Sequence, residues 1–252
     1  MDEELLEELE RGEVRFFVRP RVELEVAETL ADVQRFFALL RPFAHDALAR
    51  RLAVGKKRMP DPERHEREWA YIDRVGESFD DLLEGVGPST YETKTHGARW
   101  QAGAIEVARG TYLIAEHGTH AHFAYALDEG IERTPLLDEL NLDERGSYIA
   151  AVFNPEAKGR GRWRARDAAG DGAPFSEPSF YPEELQEKFR ARRFAPLEPT
   201  FLDYEGTEIV LIGGGHASRI VSLFDERSRQ EGREREEEPA AFPGHPRAAA
   251  GA

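Results

Sequence analysis

Residues 111–127 read Thr-Tyr-Leu-Ile-Ala-Glu-His-Gly-Thr-His-Ala-His-Phe-Ala-Tyr-Ala-Leu. On either side of Gly118-Thr119 the residue types alternate with period two, the signature of paired strands. A two-residue loop with glycine first suits a type II′ hairpin. In that register His117 lies opposite His120, and His122 follows on the same face with Leu113, Ala115, Ala124 and Ala126. The other face carries Tyr112, Ile114, Phe123 and Tyr125, bulky enough to be core. One hairpin end therefore gathers three imidazoles beside a face of small residues.

Outward from this hairpin the centre of the chain stays β-rich. STYETKT (89–95), AGAIEVA (102–108), TYLIAEH (111–117) and HAHFAYAL (120–127) read as successive antiparallel strands. Further strands are expected at EVRFFVRPRVELEV (13–26, interrupted at Pro20), RRLAVGKK (50–57), WAYIDRV (69–75), GSYIAAVF (146–153) and TEIVLIGG (207–214). Helices are expected over 2–11, where Leu5, Leu6 and Leu9 precede Gly12, and over LADVQRFFALL (30–40). The second opens on a Thr29/Asp32 capping box and places Leu30, Val33, Phe37 and Leu40 on one face. Shorter helices are expected after Ser78 (FDDLLEG), after Thr134 (PLLDELNL) and from Pro182 (PEELQEKFRARR). Three helix–strand successions admit degenerate internal α/β repeats. The expected class is α+β, a mostly antiparallel β-sheet with several short packing helices. Residues 1–224 form a single α+β domain, and 225–252, rich in both charge signs with Pro, Gly and Ala, a disordered charged tail.

Composition removes several functions. The 252 residues contain no cysteine, which excludes disulfide scaffolds, thiol catalysis and cysteine-held metals. Lys and Arg number 34 against 49 Asp and Glu, a net charge of −15, which argues against nucleic acid and anionic membrane as partners. No apolar run approaches a spanning helix and the acidic N-terminus is unlike a signal peptide, so a cytoplasmic location is the default expectation. Any metal is left to nitrogen and oxygen ligands. His117, His120 and His122 are the candidate set for a divalent ion such as zinc. With Thr119 they are also the candidate contacts for a small-molecule ligand.

The His-x-His of 120–122 is similar to half of the cupin pattern, but no carboxylate follows His122 by four or five residues. His117-Gly118-Thr119, with His216-Ala217-Ser218 as a second copy, resembles the short His-x-[Ser/Thr] pattern of two-histidine phosphoesterases. Gly213-Gly214-Gly215 lacks the spacing of a dinucleotide fingerprint. The basic clusters Lys56-Lys57-Arg58 and Arg160–Arg166 around Trp163 read as solvated loops. The phrases VRFFVRPRVE, LAVGKKRMP, TYETKTHGAR, HGTHAHFAYAL, RGSYIAAVFNPE and YPEELQEKFRARRFAP together resemble a group of bacterial proteins with no assigned activity. That resemblance spans about residues 13–212 and implies one architectural unit, with no catalytic residue carried over. The expected function is small-ligand or metal binding through the histidine hairpin. A hydrolase using the same histidines, metal-dependent or phosphoesterase-like, is the alternative, and a protein-interaction scaffold the second. The plainest reading makes the histidines polar residues at a solvated turn.

Overall fold

Phe36-Phe37-Ala38-Leu39-Leu40 is apolar at every position, and such a run suits a strand buried on both faces as well as a helix. In the computed structural model, which describes residues 6–93, 97–157 and 179–214, it is strand β2 (Val33–Pro42). Only Leu30–Asp32 keep a single 3-10 turn, with the Thr29/Asp32 capping box in place. Phe36, Ala38 and Leu40 join the main core, while Phe37 and Leu39 enter a second cluster on the opposite face. Two separate apolar layers, one on each side of the sheet, decide for a strand. Residues 6–11, expected to be helical, are likewise the start of β1 (Leu6–Pro20). Pairing with a long neighbouring strand from Leu6 to Val18 outweighs the helical preference of a Leu/Glu-rich segment.

The remaining elements are β3 (Ala49–Val54), β4 (Arg67–Gly76), α1 (Phe79–Leu83), β5 (Ser89–Thr93), β6 (Gly97–Gln101), β7 (Ile105–His117), β8 (His120–Leu127), α2 (Pro135–Glu139), β9 (Arg145–Phe153), α3 (Glu183–Glu187), β10 (Phe194–Pro196) and β11 (Glu208–Gly213). AGAIEVA and TYLIAEH, expected as two strands, are one. Gly110 lets β7 run on, because a Cβ there would stand 2.0 Å from the Ala126 carbonyl oxygen of β8. Strands β1 to β4 form one antiparallel meander and β7 to β9 a second; β1 pairs with β7, and β11 fits between β4 and β9. Pairing of β8 with β9 from Ala121↔Ala150 to Ala126↔Arg145 completes a ring of eight strands, a closed antiparallel barrel. Beyond the end of β8, the short β10 takes over the same edge of β9 at Ala151–Phe153. Strands β5 and β6 make a separate hairpin.

This corrects the α+β expectation. The three described α-helices have five residues each and serve as caps rather than as a layer. The repeat reading goes with it, since the first of its three helices is strand β2. The proposed tail at 225–252, the second His-x-Ser at 216–218, Gly215 and the Arg160–Arg166 cluster lie outside the described residues. Among those described, no helix is long and apolar enough to cross a membrane.

Eight strands enclose just enough space for side chains to fill. Phe16 stacks on Phe36 at 5.9 Å and meets Tyr125 edge-on at 5.1 Å; Tyr112 stacks on Phe123 and Tyr125 on Tyr148. One end is stopped by Leu136, Leu137 and Leu140 around α2. The other is stopped by Tyr181, Phe189 and Phe201, packed 5.2–5.9 Å apart. Aromatic rings and end plugs therefore occupy the place where larger barrels hold a ligand.

Two adjacent arginines on β3 anchor the two sides of the wall. Arg50 points inward with its side chain 3% exposed, holding Glu10 at 2.6 Å and Asp203 at 2.7 Å, and the Tyr112 hydroxyl donates to Glu10 at 2.7 Å. Burial works against the guanidinium charge, yet Glu10 and Asp203 outweigh it and keep its pKa above the ordinary value. Arg51 points outward to Asp73 at 2.7 Å and donates to the Leu82 carbonyl of α1. The register shift opposite Arg51/Leu52 leaves Asp73 as the extra residue of β4, a bulge that supplies the carboxylate. Burial pushes the Asp73 carboxyl up, and Arg51 offsets this only in part.

Arg50→Met would leave Glu10 and Asp203 facing each other without their cation. It is expected to cost about 3 kcal/mol in urea unfolding, the lower end for a broken buried ion pair because Asp203 is partly exposed. For Asp73 the folded pKa lies above the unfolded value of about 4. Its contribution to stability is therefore full below that value and declines as pH rises through the folded pKa. Asp73→Asn is expected to flatten that decline, read as the slope of unfolding free energy against pH.

Candidate functional site

The histidine hairpin forms in the register read from its sequence. His117 pairs with His120, Glu116 with Ala121 and Ala115 with His122, and Gly118 has φ of 62°, as the first position of a type II′ turn requires. Tyr112, Ile114, Phe123 and Tyr125 face the barrel core; Leu113, Ala115 and Ala124 form a small outer cluster. Thr119 and His120 are exposed at the tip, whereas His122, one pair further in, is 7% exposed between strands β7 and β9. One face thus holds both of these histidines but gives them opposite environments. The His117 side chain lies outside the description. Among the described residues no group of three or more His, Asp or Glu could hold a metal ion; the His117, His120 and His122 set includes a side chain outside that description.

A different outer face collects aromatic side chains. On β4 the outward residues are Arg67 and Trp69; on β11 they are Val210 and Ile212, paired with Trp69 and Arg67. On β9 Ala151 lies beside Val210, and Phe153 follows one step along. Because the pairing of β8 with β9 stops at Ala121↔Ala150, β10 occupies the edge of β9 from there on and sets Phe194 directly opposite Phe153. The three rings pack against one another and border a cleft. Trp69 and Phe153 meet edge-on with centroids 6.0 Å apart, Trp69 and Phe194 are 6.1 Å apart, and Phe153 and Phe194 are 5.6 Å apart.

The cleft they border has a volume of about 270 Å³, with Ala151, Val210 and Ile212 completing its lining. That is close to the lower bound of about 300 Å³ for small-molecule pockets and has room for one or two fused rings. Ala151 makes the depth: any larger side chain on this position of β9 would fill it. Arg67 and Arg193 also line the cleft, both exposed. Neither makes an ion pair among the described residues. Several other arginines are paired: Arg11 with Glu8, Arg15 with Glu13, Arg58 with Glu66, and Arg133 with Asp138 and Asp143.

A wider hollow of about 910 Å³ lies between α3 and Asn154–Glu156. Part of its polar wall is internally bonded: Asn154 donates to the Arg192 carbonyl at 3.0 Å and accepts from Gln186 at 2.8 Å. The aromatic cleft differs in being lined by rings and aliphatic side chains with no carboxylate.

The sequence reading missed this cleft. Its signal was present in GSYIAAVF and WAYIDRV, whose outward positions Phe153 and Trp69 are as apolar as their inward ones. A strand apolar on both faces reads simply as buried, and β10, only three residues long, has no periodicity to detect. Comparison with protein-family models, with curated proteins and with solved structures finds no match.

Because Arg67 and Arg193 are exposed and without ionic partners among the described residues, Arg67→Gln and Arg193→Gln are each expected to shift the unfolding free energy by no more than about 0.5 kcal/mol. A denaturation curve coincident with that of the parent protein checks this.

Proposed function

We propose that the protein is a binding module for a small aromatic molecule, taken up in the cleft of Trp69, Phe153 and Phe194. The observation that carries this is three aromatic rings bordering one recess on the outer wall, a position where a solvated sheet face would carry polar side chains. The small-ligand expectation is kept and its place moves from the histidine hairpin to the outer face of β4, β11, β9 and β10. Binding is favoured over turnover because the only charged side chains lining the cleft are arginines, which supply hydrogen-bond donors and no acceptor. A nucleophile or an acid–base pair would be needed for hydrolysis. A cytoplasmic location accompanies this reading.

The test is titration with neutral 2-naphthol, followed through the Trp69 indole N–H resonance. Saturable movement of that resonance is expected. Ala151→Leu, which fills the recess while retaining Trp69, is expected to weaken binding about tenfold or more, some 1.4 kcal/mol. An unmoved Trp69 resonance at saturating 2-naphthol, or equal affinity in Ala151→Leu, would overturn the reading.

A further inference from the structure

The two arginines at the cleft point to the charge of what it holds. Arg67 opens β4 at one end of the aromatic recess, opposite Ile212, and Arg193 precedes Phe194 at the other end. The rows they occupy are separated by Trp69 and Phe153, so the rings lie between the two cations. In a chain of net charge −15, two cations border this one apolar recess and no carboxylate lines it. Glu208, the outward residue next along β11, is buried and does not line the cleft.

We infer that the cleft selects an aromatic anion: a free small molecule with a planar ring body seated among Trp69, Phe153 and Phe194, and a carboxylate or sulfonate held by Arg67 or Arg193. This rests on the proposed function and adds the ligand's charge to it. The chemistry is complementary at each point. The ring body exchanges water for the apolar floor of Ala151, Val210 and Ile212 and stacks against the ring edges. The anionic group takes up the planar fork of a guanidinium, which presents two parallel N–H donors to two oxygens. The chain's overall acidity repels anions at long range, so the two arginines supply the only local attraction the cleft offers.

The experiment compares 2-naphthoate with the neutral, isosteric 2-naphthamide on the full chain by isothermal titration calorimetry at low salt. The naphthoate is expected to bind more tightly by about fivefold or more, a margin that shrinks as salt is raised. The double variant Arg67→Gln/Arg193→Gln is expected to lose that margin and bind the two compounds equally. Equal binding of both compounds by the parent protein, or a preference surviving in the double variant, would overturn the anion selectivity and leave the aromatic cleft standing. Binding of neither compound would instead overturn the cleft itself. Each single Arg→Gln variant assigns the anionic group to one end, and the double variant's unfolding curve shows that the barrel is intact.

Discussion

Hydrogen bonding between β8 and β9 is the constraint from which the rest of the molecule follows. Without it the chain would be an open curled sheet with two exposed edges, each a template for further strands. With it the eight strands have no free edge among themselves, and the inward face becomes an enclosed volume that must be filled. Aromatic residues from five strands fill it: Phe16, Phe36, Tyr112, Phe123, Tyr125 and Tyr148. Chemistry that needs access to solvent is displaced to the outer wall. The same pairing fixes where β8 ends, and this frees Ala151–Phe153 for β10 and so places Phe194 beside Phe153.

Arginine is used here in two opposed ways. Arg50 and Arg51 are buried and fully engaged, one joining β1, β3 and the turn at Asp203, the other joining β3, the β4 bulge and α1. Their role is positional, since a buried pair is costly to break even where forming it yields little net stability. Arg67 and Arg193 sit at an aromatic recess in a surface otherwise rich in carboxylates. The contrast separates charge that holds the barrel from charge available to a ligand.

The hairpin at 117–120, with its turn type, register and the inward set Tyr112, Ile114, Phe123 and Tyr125, could be read from sequence because alternation there is strict. Strands β3, β4, β8, β9 and β11 and the capped helices α1 and α2 were legible for similar reasons: period-two patterns or runs too short for helices, and Ser78 or Thr134 at the N-cap. Barrel closure was not, because local pattern carries no information on which strands become neighbours across 20 or more residues. The segment 30–40 was misread because an apolar run buried on both sides satisfies a helical stripe equally well. The region 6–11 was misread because its partner, β7, lies about a hundred residues away. Of the candidate site, the histidines were found because they are rare and clustered. The aromatic cleft escaped because its members come from four strands, and its three rings, Trp69, Phe153 and Phe194, lie far apart in sequence.

The place of β11 has a consequence for how the barrel comes into being. Strands β1 to β4 and β7 to β9 can each assemble as a local meander, but the slot between β4 and β9 is filled by residues 208–213, over a hundred and thirty positions after β4. Until that last segment arrives, both flanking strands expose unpaired backbone and the aromatic interior opens to water on that side. Formation is thus dominated by contacts distant along the chain, a topology associated with slow folding and a vulnerable intermediate. A ribosome-bound chain that has not yet emerged beyond residue 207 is a barrel lacking one stave, and such a species is where association with chaperones or with other nascent chains would begin.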